Sequence, residues 1–160
     1  MNDLYLRGVV FGILALFSAG VPAMGLFDFM KVCLFSEVNG VVTLEGKPVA
    51  GADLIRTAEI NDKVHTDRAM TDENGRFHFS AMYTNSLNKI LPVEPVIPQT
   101  ITIQYQGNSY SGWRTTRRGY DENSEMKNNK NIALTCELTD EDSMKEKDLR
   151  RPVAGVCKIN

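Results

Sequence analysis

The sequence has few of the residues that usually carry out catalysis. It contains only two histidines, His65 and His78, one tryptophan and three cysteines. It has no Gly-x-Ser-x-Gly element, no glycine-rich phosphate loop and no dinucleotide-binding pattern. Any metal site or histidine base would therefore have to use one of these two side chains. The sequence predicts a chain that is not an enzyme and that has no metal site and no cofactor.

The chain also lacks a large excess of either positive or negative charge. The chain has 18 Lys and Arg against 20 Asp and Glu, a formal net charge of −2. No basic stripe with interleaved aromatic residues is present, and such a stripe is the usual sign of a nucleic-acid-binding surface. The sequence predicts no nucleic-acid partner.

The few candidate chemical groups have structural interpretations. His78 alternates with Phe77 and Phe79, which predicts a solvent-facing position on a strand. His65 lies beside Asp67, whose carboxylate would raise the basicity of the imidazole. Asp72 and its neighbours lack the glutamate that completes a calcium-binding loop, so they predict a plain turn.

The N-terminal segment has the pattern of an export signal. Arg7 precedes residues 8–27, which contain no charged side chain. Small residues up to Ala23 occupy the positions that a signal peptidase recognises. The sequence predicts a signal peptide at residues 1–23 with cleavage after Ala23, or alternatively after Gly25. Residues 24–160 would then form a single exported, periplasmic domain.

Two other interpretations of this segment stay open. Residues 8–27 are just long enough to span a bilayer and could remain as an inner-membrane anchor, although Gly20 and Pro22 make a poor spanning helix. The true start could also be Met24 or Met30. A membrane would be contacted only through an uncleaved signal or anchor.

The rest of the chain predicts an all-β sandwich. Hydrophobic residues alternate in residues 38–44 and most clearly in residues 100–105, which a turn connects to residues 110–115 as a hairpin. Ala52, Leu54 and Arg56 alternate with Asp53 and Ile55, which predicts that residues 52–56 are the partner strand of a first hairpin with residues 38–44 and have one buried face. The Asn74-Gly75 turn precedes another strand at residues 76–79.

Three further segments complete the predicted architecture. Residues 91–98 contain three prolines, which favours an extended crossover and excludes a central strand. Residues 119–131 are polar and predict a surface loop. An acidic start and a basic end predict one short surface helix over Asp140 to Leu149.

The cysteines predict one disulfide. Cys136 and Cys157 lie in two short strand-like runs, and closing the loop of about 20 residues between them would stabilise the fold by about 3 kcal/mol. Cys33 lies in the apolar run Val32 to Phe35, which favours a buried small side chain over a nucleophile.

One aromatic and basic cluster is the best candidate for a contact surface. Arginine and aromatic side chains together are typical anchors of protein interfaces, although a solvated hairpin end would look the same. The predicted binding residues are Trp113, Arg114, Arg117, Arg118, Tyr110 and Tyr120.

Two segments carry a resemblance to a known fold. The run Gly40 to Ala52, with its Gly-Lys-Pro turn, and the run Thr71 to Phe79 resemble the transthyretin-like, or carboxypeptidase regulatory-like, β-sandwich family. The resemblance implies that fold. The hydroxyisourate hydrolases of this superfamily use paired histidines and a C-terminal Tyr-Arg-Gly-Ser. This chain has neither, so the hydrolase activity is not expected here.

A narrower resemblance covers more of the chain. Residues 32–38, 91–97, 134–138 and 155–157 resemble a small family of exported proteins of Gram-negative bacteria, which implies an exported domain but no mechanism. The preferred hypothesis is a protein-binding domain, in particular an immunity protein that neutralises a secreted bacterial toxin. The alternative is an envelope accessory domain that binds carbohydrate or peptide on Trp113, Tyr105 and Tyr110.

Overall fold

The computed structural model describes residues 29–145 and 149–160, and there the chain is almost entirely β-structure. The predicted signal peptide, residues 1–23, and the alternative anchor, residues 8–27, lie outside the described residues. Within the described part, no helix has the length and apolar character needed to cross a membrane.

The described residues form thirteen strands and one 3-10 helix in two packed sheets and a small ribbon, which confirms the predicted all-β sandwich. The strands are β1 (Lys31–Phe35), β2 (Val38–Leu44), β3 (Lys47–Pro48), β4 (Asp53–Ile60), β5 (Lys63–Met70), β6 (Arg76–Phe79), β7 (Met82–Asn85), β8 (Ile97–Tyr105), β9 (Asn108–Arg117), β10 (Ile132–Glu137), β11 (Ser143–Lys145), β12 (Val153–Gly155) and β13 (Cys157–Ile159). The 3-10 helix spans Leu87–Ile90.

The larger sheet has six antiparallel strands in the order β11-β12-β9-β8-β4-β5. The predicted hairpin is confirmed, because β8 and β9 pair from Ile97 opposite Arg117 to Tyr105 opposite Asn108. Gln106 and Gly107 both have positive φ in the connecting turn, 49° and 77°. The end of β9 in this hairpin forms one wall of a surface cleft.

The second sheet follows the order β13-β10-β2-β3, and β6 also pairs with β2. Strands β2 and β10 run parallel, whereas β2 and β6 run antiparallel. The predicted turn before β6 is confirmed: the Asp72 carboxylate accepts from the backbone of Asn74 and Arg76 at 2.9 and 2.8 Å. Gly75 has φ 72°, which favours glycine at this position.

The predicted hairpin between residues 38–44 and 52–56 is wrong. Strand β2 pairs instead with the two residues of β3, and the chain then passes at Gly51 to the six-stranded sheet, where β4 lies between β5 and β8. The alternation within β4 was predicted correctly, since Leu54 and Arg56 are buried together. Alternation identifies the buried face but not the sheet that the strand joins.

Arg56 connects the sheets through the core. Its guanidinium is fully buried and donates to both carboxylate oxygens of Asp67, at 3.0 and 2.6 Å, and to the Ser80 carbonyl at 2.6 Å. It also lies 5.0 Å from the ring centroid of Phe35 and 4.6 Å from that of Phe79. A buried charge is tolerated here because its donors have partners and two aromatic faces enclose it.

The predicted short helix over Asp140 to Leu149 is corrected by the structure. Residues Ser143–Lys145 form β11, which pairs with β12, and Met144 is 66% exposed. Residues 146–148 are not described. A helix with only Met144 and Leu149 as apolar residues gains little from docking, whereas strand pairing supplies partners for the backbone.

The predicted disulfide is confirmed. Cys136 and Cys157 are bonded and lie directly opposite each other on β10 and β13. Cys33 is buried and outside any disulfide, as predicted. A disulfide is typical of proteins that fold in an oxidising compartment, which agrees with export.

Candidate functional site

A cleft of about 650 Å³ opens between the end of β9, the loop at residues 118–131 and the start of β12. Four exposed basic side chains line it: Arg118, Lys127, Arg150 and Arg151. Polar and acidic groups alternate with them along the walls. The cleft is therefore a polar site with several cationic groups.

A buried ion pair fixes one wall of this cleft. Arg117 Nη1 donates to Glu125 Oε1 at 2.9 Å, and both side chains are almost completely buried, at 0% and 2% exposure. Arg117 also donates to the carbonyls of Gly119, at 2.8 Å, and Asp121. The loop that follows β9 is thus folded back onto the arginine at the end of that strand.

Glu125 anchors the same loop to β8 and to the connection between β1 and β2. Its carboxylate accepts from the Ser36 hydroxyl at 2.6 Å, the Ser36 backbone at 3.2 Å and the Gln99 amide at 2.8 Å. Gln99 in turn donates to the Leu34 carbonyl at 2.8 Å. These bonds compensate the desolvation of the carboxylate and make the wall rigid.

The exposed arginines of the cleft are held less tightly. Arg118 and Arg151 approach the carboxylate of Glu94 at 3.4 and 3.7 Å. Arg150 is positioned by the Met126 carbonyl at 3.0 Å and by the Asn129 side chain at 3.1 Å. Since bonds between charged groups are usually about 2.7–2.9 Å, the guanidinium groups of Arg118 and Arg151 keep unused donor capacity.

A shallow depression continues the cleft along β9. It shares Arg118, Arg151 and two threonines with the cleft and adds Arg114, which pairs with Asp142 at 2.7 Å. The Thr115 hydroxyl donates to the Pro152 carbonyl at 2.8 Å and fixes the start of β12 beside β9. The exposed arginines thus follow one continuous surface.

The predicted binding residues fall into two groups. Arg114 and Arg118 lie on the exposed surface, as predicted, and Tyr110 and Tyr120 are half-buried against the core. The structure corrects the prediction for Trp113, which is 1% exposed. It packs in the core with its ring centroid 6.3 Å from that of Phe35.

Arg117 is likewise a core residue, with 2% of its surface exposed, and its guanidinium is occupied by Glu125. The division into exposed and buried residues follows from the pleat of β9, in which neighbouring side chains point to opposite faces. Trp113 therefore points inward and Arg114 outward. The pairing of β8 with β9 shifts register between Ile101 and Thr102, which marks a β-bulge or irregularity beside Trp113.

The sequence prediction missed most of the cleft residues, among them Glu94, Glu125, Lys127, Arg150 and Arg151. Arg151 was assigned, with Arg150, to the end of a helix that the structure replaces with strand and loop. Glu94 lies between two prolines and Glu125 in a polar loop, so neither carries a local pattern. Only an excess of charged residues beside the hairpin could have indicated this site.

The two histidines lie elsewhere. His78 is exposed, as predicted, with Nδ1 2.9 Å from the Asn39 side chain. For His65 the prediction is wrong, because burial and then the charge of Lys63 lower the pKa of the imidazole. The Asp67 carboxylate is occupied by Arg56. Among the described residues no group of three or more potential metal ligands comes together.

Together, the fold and the cleft define an almost entirely β-stranded sandwich domain with an arginine-lined polar site at one side. Residues 38–141 match a family described as a domain of unknown function, DUF6795, and the chain belongs to this family. The matched region begins at β2 and contains Glu94, Arg117, Arg118 and Glu125, but not Arg150 or Arg151. No curated protein shows significant similarity to the chain.

Proposed function

We infer that this chain is a non-catalytic exported domain that binds a protein partner through the arginine-lined cleft. The observation that supports this function is the set of exposed guanidinium groups at Arg114, Arg118 and Arg151 along one surface. Arginine is enriched among the residues that dominate protein interfaces, because its planar fork binds carboxylates at two points.

The support beneath these arginines favours recognition of a defined partner. The Arg117–Glu125 pair and its bonds hold the loop that forms the wall, so little ordering would be needed on binding. An acidic surface on the partner would complement the cationic groups and speed association. We propose a protein with an acidic segment as the partner class.

The site of action in this proposal is the periplasm of a Gram-negative bacterium. The disulfide between Cys136 and Cys157 supports an oxidising compartment, and the sandwich architecture supports membership of the transthyretin-like fold. N-terminal sequencing of the exported protein tests the signal peptide. A chain that begins at Met24 is expected, and a mature chain that begins at Met1 would contradict cleavage.

The particular role that we propose is immunity against a secreted bacterial toxin. A small exported binding domain suits this role because occlusion of a toxin needs affinity and no chemistry. Deleting the gene is expected to sensitise cells only while the toxin encoded beside it is produced. Equal sensitivity in the absence of that toxin would contradict the role while leaving the binding function open to its own test.

Affinity capture from a periplasmic extract tests the binding function. The bait is the full chain, compared with the cleft variant Arg118→Ala/Arg151→Ala and the control variant Arg68→Ala/Arg76→Ala. Each variant loses two exposed positive charges, but Arg68 on β5 and Arg76 on β6 line a groove that is separate from the cleft. The cleft variant is expected to lose the partner and the control to keep it. Retention by the cleft variant would contradict the proposal.

The buried position of Trp113 weakens the alternative of a carbohydrate-binding domain. That alternative depended on Trp113 as a stacking platform, and that ring lies in the core at 1% exposure. Tyr105 and Tyr110 are packed against the core and only partly exposed.

A further inference from the structure

The carboxylate of Glu94 lies between two guanidinium groups at the cleft. Oε2 is 3.4 Å from Arg118 Nη1, and Oε1 is 3.7 Å from Arg151 Nη2. All three side chains are well exposed, at 57%, 39% and 53%. Both contacts are longer than a charge-assisted hydrogen bond. Glu94 therefore neutralises two arginines without binding either of them tightly.

Glu94 is carried by a segment that can be displaced at low cost. It lies between Pro92 and Pro95, and residues 91–96 belong to no strand. Proline cannot donate a backbone hydrogen bond, and Val93 donates only to the nearby Leu91 carbonyl, at 2.8 Å. Moving this segment would break no bond of either sheet.

We propose that Glu94 is an internal substitute for a carboxylate of the partner. In this mechanism, which rests on the proposed function, an aspartate or glutamate side chain of an extended acidic peptide segment displaces Glu94. It then binds Arg118 and Arg151 at hydrogen-bonding distance. Glu94 offsets the repulsion between the two guanidinium groups in the free protein, and it competes with an anionic ligand that enters the site.

The surroundings favour a peptide over an acidic sugar. Three exposed apolar side chains lie on the segment that carries Glu94: Leu91, Val93 and Val96, at 52%, 50% and 54% exposure. A peptide can offer them apolar side chains next to its carboxylates. Among the described residues that line the cleft there is no aromatic ring on which a sugar could stack.

Calorimetric titration with a synthetic hexaglutamate peptide at low ionic strength tests this proposal. Glu94→Gln is expected to bind about threefold to tenfold more tightly than the wild-type chain, the range expected when exposed ion pairs no longer have to be exchanged. Arg118→Ala/Arg151→Ala is expected to lose binding. Glu122→Gln is the matched control, since it removes the same charge from the same cleft but contacts neither arginine.

Several results would overturn the proposal. These are no tightening in Glu94→Gln, an equal tightening in Glu122→Gln, or no hexaglutamate binding by any variant. Tighter binding of an oligogalacturonate than of hexaglutamate would overturn the peptide assignment. If capture of the periplasmic partner still depends on Arg118 and Arg151, such results reject only the role of Glu94. If capture of the partner does not depend on Arg118 and Arg151, the proposed function itself is rejected.

Discussion

Among the residues that the structure describes, the side chains of two arginines are buried, and each is paired with a carboxylate. Arg56 is held by Asp67 inside the sandwich, and Arg117 by Glu125 behind the cleft. Removing one partner of such a pair leaves an uncompensated charge, which costs more than the pair contributes. These side chains are therefore determinants of structure at the residue scale, and the exposed arginines are the ones available for binding.

Substitution of Glu125 by Gln is expected to lower the free energy of unfolding by about 3–5 kcal/mol, because Arg117 stays buried without a counter-charge. Urea denaturation followed by far-UV circular dichroism measures the change. The double variant Arg117→Met/Glu125→Leu removes both charges and should recover most of the loss. A double variant less stable than Glu125→Gln would contradict the explanation.

Glu137 predicts a pH dependence of stability. Burial opposes ionisation, but bonds from Thr139 and the backbone of Gly46 outweigh it and lower the pKa of Glu137 from 4.5 to about 2. A lowered folded-state pKa stabilises the fold above pH 4.5, and this stabilisation is lost as the pH falls towards 2. The site is partly exposed, so the effect is about 1–2 kcal/mol.

The measurement compares Glu137→Gln with the wild-type chain in urea at a series of pH values. The variant should be less stable at pH 7, and the difference should shrink between pH 4.5 and pH 2. Glu141→Gln, at an exposed position, is the control and should show no such trend. A difference that stays constant down to pH 2 would mean that ionisation of Glu137 is not the cause.

At the scale of elements, much of the fold could be predicted from alternation and turn residues. Strands β2, β4, β6 and β8 follow local rules of alternation and turn residues. The predicted crossover at residues 91–98 is wrong at its end, because Ile97 and Pro98 belong to β8, which lies between β9 and β4. The sequence could not predict which strands pair with β4, nor that β11 exists, because both depend on contacts between distant segments. Strand β11 exists through pairing with β12, which no pattern in Ser143–Lys145 indicates.

The disulfide joins two elements that few other bonds connect. Strand β13 pairs with β10 over three residues, and Cys136–Cys157 closes a loop with a sequence separation of 21. Cys136→Ala/Cys157→Ala is expected to lower the free energy of unfolding by about 3 kcal/mol in the loop-entropy model. Reductant should destabilise the wild-type chain and Cys33→Ala similarly, but leave the double variant unchanged. An unchanged urea midpoint in the double variant would contradict this.

At the scale of the whole molecule, the candidate site is a product of long-range folding. The bond between Ser36 and Glu125 joins residues 89 positions apart, and Gln99 and Glu125 are 26 apart. The sequence could predict Arg114 and Arg118 as surface residues because they follow a recognisable strand. It could not predict that Glu94 and Arg151 meet beside them, since neither lies in a regular pattern.

The most direct test that a partner protein binds at the arginine-lined cleft is site-specific photo-crosslinking in living cells. A benzoylphenylalanine residue replaces either Lys127, which lines the cleft, or Lys63, which is exposed on β5. A covalent adduct with a periplasmic protein is expected from position 127 and not from position 63. The adduct should also disappear when Arg118→Ala/Arg151→Ala is added. An adduct from position 63 alone, or one that persists without the two arginines, would mean that the cleft is not the binding site.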